Sequence, residues 1–239
     1  MHLKSIVPIV FVLLFTNSQT NAQSHYFGSW NVGNAEYFFD KKISAWTEAQ
    51  LRSQQFYNDF FYHEIKCGIK YQINKSLGVL IGTGQYATYS NGSNFKTPVI
   101  HEFRLWEQFT LINNIERLKL EHRYRIEQRW RNDEYRNRFR YRISPIFPIN
   151  KSKVENHTLF ATIYDEIFLT NKDTYFERNR FFAGVGYQCS TRLSVQAGWL
   201  RQFDYSATAS TTKDFLQTTI FIRFHNNNGP LETHPSSMD

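Results

Sequence analysis

Between Ile115 and Ile143 the chain reads IERLKLEHRYRIEQRW, then RNDEYRN, then RFRYRI. These guanidiniums carry its most pointed chemistry. Each stays charged at any physiological pH and offers five donors in a planar fork that suits carboxylates and other oxyanions. From Arg117 to Arg131 every odd position is charged, and the even positions are Leu118, Leu120, His122, Tyr124, Ile126, Gln128 and Trp130. The alternation resumes with Arg136, Arg138, Arg140 and Arg142 against Tyr135, Asn137, Phe139, Tyr141 and Ile143. With Glu102 and Arg104 from the preceding segment, the candidate functional residues are Glu102, Arg104, Glu121, Arg123, Arg125, Glu127, Arg129, Arg138, Arg140 and Arg142. Two chemistries suit such a ladder: an internal ion-pair network, or a basic lining that favours anions as cation rings do in anion pores.

Other chemistry is thinly supported. A hydrolase needs a nucleophile with a base in reach and an orienting group behind it. His63, His101 and His122 fall on the apolar parity of their segments, and His157 adjoins Thr158 along one strand, which sends the two to opposite faces. There is no nucleophile elbow. The histidines and Cys67 and Cys189 lack metal-ligand spacing, and Gly78, Gly82 and Gly84 sit within a strand rather than in a phosphate-cradling loop. The expectation is a non-enzymatic protein without a cofactor; an outer-membrane lipid-modifying hydrolase is one alternative.

The elements that must position the ladder follow from its period. Alternation every second residue is a strand signal, whereas on a helix Leu118, Leu120, Tyr124, Ile126 and Trp130 would scatter around the circumference. Ile43 to Ser53, Phe61 to Ile73, Leu77 to Tyr89, Val99 to Leu111, Phe176 to Gln188, Arg192 to Tyr205 and Asp214 to Phe224 alternate too, Thr158 to Thr170 less cleanly. Glu107 breaks the pattern on the apolar parity, and a bulge is the expected cause. Asn113-Asn114 is the expected hairpin turn, pairing Arg104 with Arg123, Glu102 with Arg125 and Trp106 with Glu121. Glu127 is then expected near Arg140 and Arg129 near Arg138, with Glu48, Glu64 and Glu166 as partners from other strands. Pro145 and Pro148 are expected to close the pair.

The N-terminus frames these strands. Met1-His2-Leu3-Lys4, an apolar run from Ile6 to Phe15 and a polar segment ending at Ala22 read as a secretory signal peptide, 1–22. Aromatics make up 17% of the chain without another long apolar run, which fits a transmembrane β-barrel diluted by alternation. Alternation over eleven residues or more exceeds an average strand and matches a tilted membrane strand. Aromatics such as Tyr71, Tyr89, Phe109, Trp130, Tyr135 and Phe224 near strand ends suit interfacial girdles. The net charge of +7 sits largely on the ladder, and on exported strands it argues against nucleic acid. The pattern predicts an all-β fold, a single antiparallel transmembrane β-barrel over 23–224, with a polar tail at 225–239. Eleven segments are countable; single-chain bacterial barrels have even strand numbers, so ten to twelve is expected, with twelve favoured. A secreted soluble β-barrel binding protein is the other alternative.

HEFRLWEQFTL (His101 to Leu111), LEHRYRIEQRW (Leu120 to Trp130) and RNRFRYRI (Arg136 to Ile143) together resemble a family of outer-membrane β-barrels catalogued only as domain of unknown function 2490. Trp30 and AWTEAQLR (Ala45 to Arg52) are similar to that family's opening hairpin. The resemblance spans roughly Gly28 to Phe224. It implies placement in the outer membrane of a Gram-negative bacterium and supplies no activity and no catalytic residues; the tail after Phe224 departs from the usual terminal aromatic residue. The partners then expected are outer-membrane lipid, the barrel-assembly machinery and small anionic solutes, with the chain a monomer in a structural role or a narrow passage.

Overall fold

In the computed structural model, which describes residues 27–90, 95–132, 134–172 and 174–225, eleven strands close into one barrel. They are β1 (Phe27–Phe38), β2 (Ile43–Gln55), β3 (Asn58–Asn74), β4 (Leu77–Tyr89), β5 (Pro98–Ile115) and β6 (Leu118–Arg131). Then follow β7 (Glu134–Pro148), β8 (Thr158–Thr170), β9 (Phe176–Gln188), β10 (Leu193–Asp204) and β11 (Thr211–His225). The expected signal segment lies outside the described residues, as does the expected tail apart from His225, which ends β11.

Every strand pairs with its neighbours in sequence, so direction alternates around the wall. An odd number brings the last strand back in the direction of the first. β1 and β11 therefore pair in parallel, from Phe27↔Asp214 to Phe38↔His225. This corrects both the favoured count of twelve and the wholly antiparallel sheet. Phe27 and His225 consequently stand at opposite ends of the barrel.

Long and short connections do not segregate cleanly. The Phe27 end carries 56–57, 90–97, 132–133, 171–175 and 205–210, but 149–157 lies at the His225 end among the tight turns.

Three local expectations also change. The β5–β6 ladder continues through Asn113 and Asn114 to Ile115↔Leu118, and Glu116 takes the left-handed backbone (φ 52°) that turns the chain. Register therefore moves without changing parity: Arg104 faces Arg129, Glu102 faces Arg131 and Trp106 faces Glu127. β7 runs through Pro145 to Pro148 instead of stopping before them. Pro145 has no N–H to give, and the β7–β8 pairing passes from Ile143↔Asp165 to Ile146↔Thr162 across it. At Glu107 there is no bulge: Ile81↔Glu107↔Ile126 is regular, the carboxylate points outward, and Gln128 donates to it at 3.0 Å.

The outer wall is apolar. Ile65, Ile69, Ile81, Val185 and Ile220 are about half exposed or more on it. Aromatic groups band both ends. Towards the Phe27 end, Trp130 packs between Phe103 and Tyr135, and Phe176 against Phe203 and Tyr205. Towards the His225 end, Tyr124 packs between Phe109 and Tyr141, and Tyr37 on Phe39.

Inside, two apolar clusters fill the lumen. One joins Trp30, Val32, Tyr164, Phe182, Leu200 and Phe215, the other Trp46, Tyr62, Leu80, Tyr86 and Trp106, and Phe61 packs against both. Glycine makes room for these rings: a Cβ at Gly82 would stand 2.5 Å from the Trp106 indole. Trp106, Phe182 and Leu200 have no solvent exposure at all, so water does not run past them.

Candidate functional site

The ladder occupies the inner wall of β5, β6 and β7. Its period of two sends alternate side chains of each strand inward, and the register stacks three such rows side by side. All ten candidate residues, Glu102 to Arg142, are buried there. β6 against β7 sets Arg123 opposite Arg142, Arg125 opposite Arg140, Glu127 opposite Arg138 and Arg129 opposite Arg136. Like charges directly opposite are destabilising, so carboxylates on diagonals and on other strands hold this wall together.

Glu127 is the central one. Its Oε2 takes Arg138 at 2.5 Å, its Oε1 takes Arg140 at 2.6 Å, and Arg125 and Arg104 stand at 3.6 and 4.0 Å. Glu166 on β8 receives Arg123 at 2.5 Å, reaching across β7, and Arg140 at 2.9 Å. Glu102 is gripped by Arg104 at 2.8 Å through two parallel hydrogen bonds, and by Arg129. Glu121 meets Arg142 at 4.0 Å. Rings cover the remaining guanidinium faces: Arg104 lies over Tyr86 at 3.6 Å, Arg125 over Trp106 at 5.2 Å and Arg140 over Phe168 at 4.6 Å.

Glu48 and Glu64 do not join this wall. They form a second group across the barrel, where Lys66 binds both, and Arg52 adds a bond to Glu64 at 3.1 Å. Arg52 is sandwiched between the Trp30 and Tyr62 rings, at 3.4 and 4.0 Å.

Parity concealed one partner of the ladder. Glu177 has an odd number on a strand whose even positions face inward. A bulge opposite Phe168 and Leu169 inserts it as an extra residue. It thereby turns inward and binds Arg129 at 3.1 Å and Arg138 at 3.2 Å. Two consecutive charges, Glu177-Arg178, are the one trace of this in the sequence.

Among the described residues, His63, His122 and His157, considered as catalytic candidates, meet rings and phenols. His122 bonds the Tyr141 phenol at 2.9 Å and His157 the Tyr187 phenol at 3.3 Å, while the Thr158 hydroxyl accepts from the Glu155 amide. His63 rests against Tyr89 and Phe95. Cys67 and Cys189 are both free thiols. No group of three potential metal ligands forms among the described residues.

At the Phe27 end the wall opens around a cavity of about 260 Å³, set above the aromatic clusters. Its lining carries ten cationic side chains against four carboxylates. The four are already engaged: Glu64 by Arg52 and Lys66, Glu102 by Arg104 and Arg129, Glu177 by Arg129 and Arg138, Asp204 by Arg178 and Gln202. The arrangement can therefore attract and hold an anion from outside the chain. Arg131, Arg136 and Lys213, which also line it, were not among the ten candidate residues; they sit at strand ends, where parity alone does not separate a wall position from a rim position.

Comparison with known proteins places this barrel in company without assigning it a role. No curated protein and no solved structure matches the chain. One family model does, that of a protein of unknown function (DUF2490), over residues 27–213, and with most of the barrel inside that match the chain belongs to this family.

Proposed function

We propose that the chain is a non-enzymatic, monomeric outer-membrane β-barrel of a Gram-negative bacterium, exported by a signal peptide cleaved after Ala22, that holds small anions in a blind basic vestibule. The single observation that carries the functional part is the cavity at the Phe27 end, with ten cations against four carboxylates that internal partners already occupy. Filled space below it argues for a blind site: a continuous passage would require the Trp30–Phe215 and Trp46–Trp106 clusters to part. Membrane placement is supported by the outer wall. Strands of 12 to 18 residues exceed the roughly 9–11 that a tilted membrane strand needs. Bands of aromatics flank an aliphatic belt, as at the two interfaces of membrane barrels. A soluble monomer rarely exposes an apolar surface of that extent.

The test has two arms. In planar bilayers the refolded protein is expected to give no steady conductance, and in detergent it is expected to bind small anions with an affinity that falls as chloride rises. Stable anion-preferring channels would replace the blind vestibule with a narrow passage. Absence of anion binding at low salt would leave only a second reading, a purely structural barrel, favoured by the ion-pair network around Glu127. Recovery of the native protein as a soluble periplasmic species would remove the membrane placement.

A further inference from the structure

The vestibule is not uniformly basic. Most of its guanidiniums are spent on the internal carboxylates. Arg131, Arg136 and Lys213 are different: none of the three forms an ion pair among the described residues. Glu134, opposite Arg131 in the β6–β7 register, is exposed at the rim and makes no ion pair with it. Arg136 sits opposite Arg129, so Arg131 and Arg136 are diagonal neighbours across that pair, roughly 7–8 Å apart at the backbone. The Nε of Arg136 is buried without a hydrogen-bond partner. A buried guanidinium donor left unsatisfied costs free energy unless something else meets it. Lys213 comes from β11, its ammonium 5.1 Å from the Phe61 ring on the floor of the same cavity.

We infer that Arg131, Arg136 and Lys213 form a binding site for a phosphate monoester or inorganic phosphate at the mouth of the barrel. The inference rests on the anion-holding reading and specifies its ligand. Two forks and an ammonium supply more donors and charge than a single carboxylate can use. A phosphate group, carrying about −1.5 to −2 charges at pH 7 with three strong acceptor oxygens, matches them. Size points the same way: the cavity of about 260 Å³ falls below the roughly 300–1,000 Å³ of pockets that enclose drug-sized ligands. A compact oxyanion fits, and a bulky one would have to leave its remainder outside the mouth. The phosphate can be free in solution or belong to a lipid headgroup, since the site lies at an end of the barrel.

Titration calorimetry on the refolded mature chain in a phosphate-free detergent tests this, with inorganic phosphate and acetate as probes. Phosphate is expected to bind at least about tenfold more tightly than acetate, as extra charge-assisted hydrogen bonds would give. The double variant R131Q/R136Q should lose that preference, R136K should lose part of it, and K75Q, in a turn at the opposite end, should keep it. Heat-modifiable migration checks that each variant is folded. Equal affinity for the two anions, or an unchanged preference in folded R131Q/R136Q, would overturn the phosphate site while leaving the basic vestibule standing. Binding of neither anion would remove both. Nanodiscs with and without phosphatidic acid identify the source. If inorganic phosphate binds as expected in detergent and phosphatidic acid does not compete, the ligand is a soluble phosphate. Competition by the lipid assigns the site to a headgroup.

Discussion

At Glu127 the electrostatics of the interior turn on one carboxylate. It has no solvent exposure and binds Arg138 and Arg140, with two further arginines within 4.0 Å. Breaking a buried pair by removing one partner costs about 3–5 kcal/mol, because the surviving charge stays buried and uncompensated. Glu127→Gln should therefore lower the unfolding free energy of the refolded barrel, read from urea titration, by an amount of that order. A shift under about 1 kcal/mol would mean that water or other acids compensate these arginines. Glu107 supplies the contrast. It is also a carboxylate in mid-strand, but it faces outward between Ile81 and Ile126, where Gln128 donates to it. Against lipid, an outward charge is a cost. Glu107→Gln should leave stability in vesicles unchanged or raised, and marked destabilisation would contradict a lipid-facing wall. Asp40, in the β1–β2 turn, gives a pH signature outside the wall. Hydrogen bonds from the Lys42 and Ile43 amides, at 2.6 and 2.8 Å, hold its carboxyl below the usual value. A depressed folded value means stabilisation that is complete above the unfolded pKa of about 3.9 and lost as pH falls through the folded one. Exchange of those two amides should accelerate in that acid window, and Asp40→Asn should flatten the dependence.

At the scale of elements, the rows of the ladder depend on strand parity and on the space the glycines leave. Gly82 on β4 lies under the Trp106 indole, where an added Cβ would clash at 2.5 Å. Trp106 in turn stands beside Arg125 and packs on Trp46. Overpacking a well-filled interior costs roughly 1–3 kcal/mol. Gly82→Ala is accordingly expected to lower the unfolding free energy by about that much and to alter tryptophan fluorescence; a silent substitution would show that the aromatic cluster is loosely packed. Parity also sets what was legible before the structure. The inward direction of Arg123, Arg125, Glu127, Arg138, Arg140 and Arg142 follows from a period of two and survives any even shift of register. The partner of each residue does not, because it depends on where the turn falls. Moving the β5–β6 turn from Asn113-Asn114 to Glu116-Arg117 keeps every face and changes every pair. Glu177 was illegible for a related reason: a single bulge reverses a face, and in the β9 sequence only the consecutive charges Glu177-Arg178 hint at it.

The whole molecule shows the same division. A closed sheet is implied by long alternating segments of matched length, but its closure is a property of all the strands together. The sequence supports a count of eleven, and a rule about even-numbered barrels argues against it; the parallel β1–β11 seam shows how an odd number closes. That seam has a consequence for orientation. β1 begins at the end that holds the basic cavity, whereas β11 finishes at the other, so Phe27 and His225 lie at opposite ends. If the barrel spans the outer membrane, these two points lie on opposite sides of it. An epitope placed between the proposed cleavage site after Ala22 and Phe27, and a second placed after His225 in a separate chain, should thus differ in intact cells. One should be reached by antibody or protease from outside, the other only after permeabilisation. Whichever side the first epitope occupies is the side on which the vestibule opens, so the same experiment shows whether it faces the medium or the periplasm. Both epitopes on one side would be incompatible with eleven strands and would require the seam to be redrawn around an even-stranded wall.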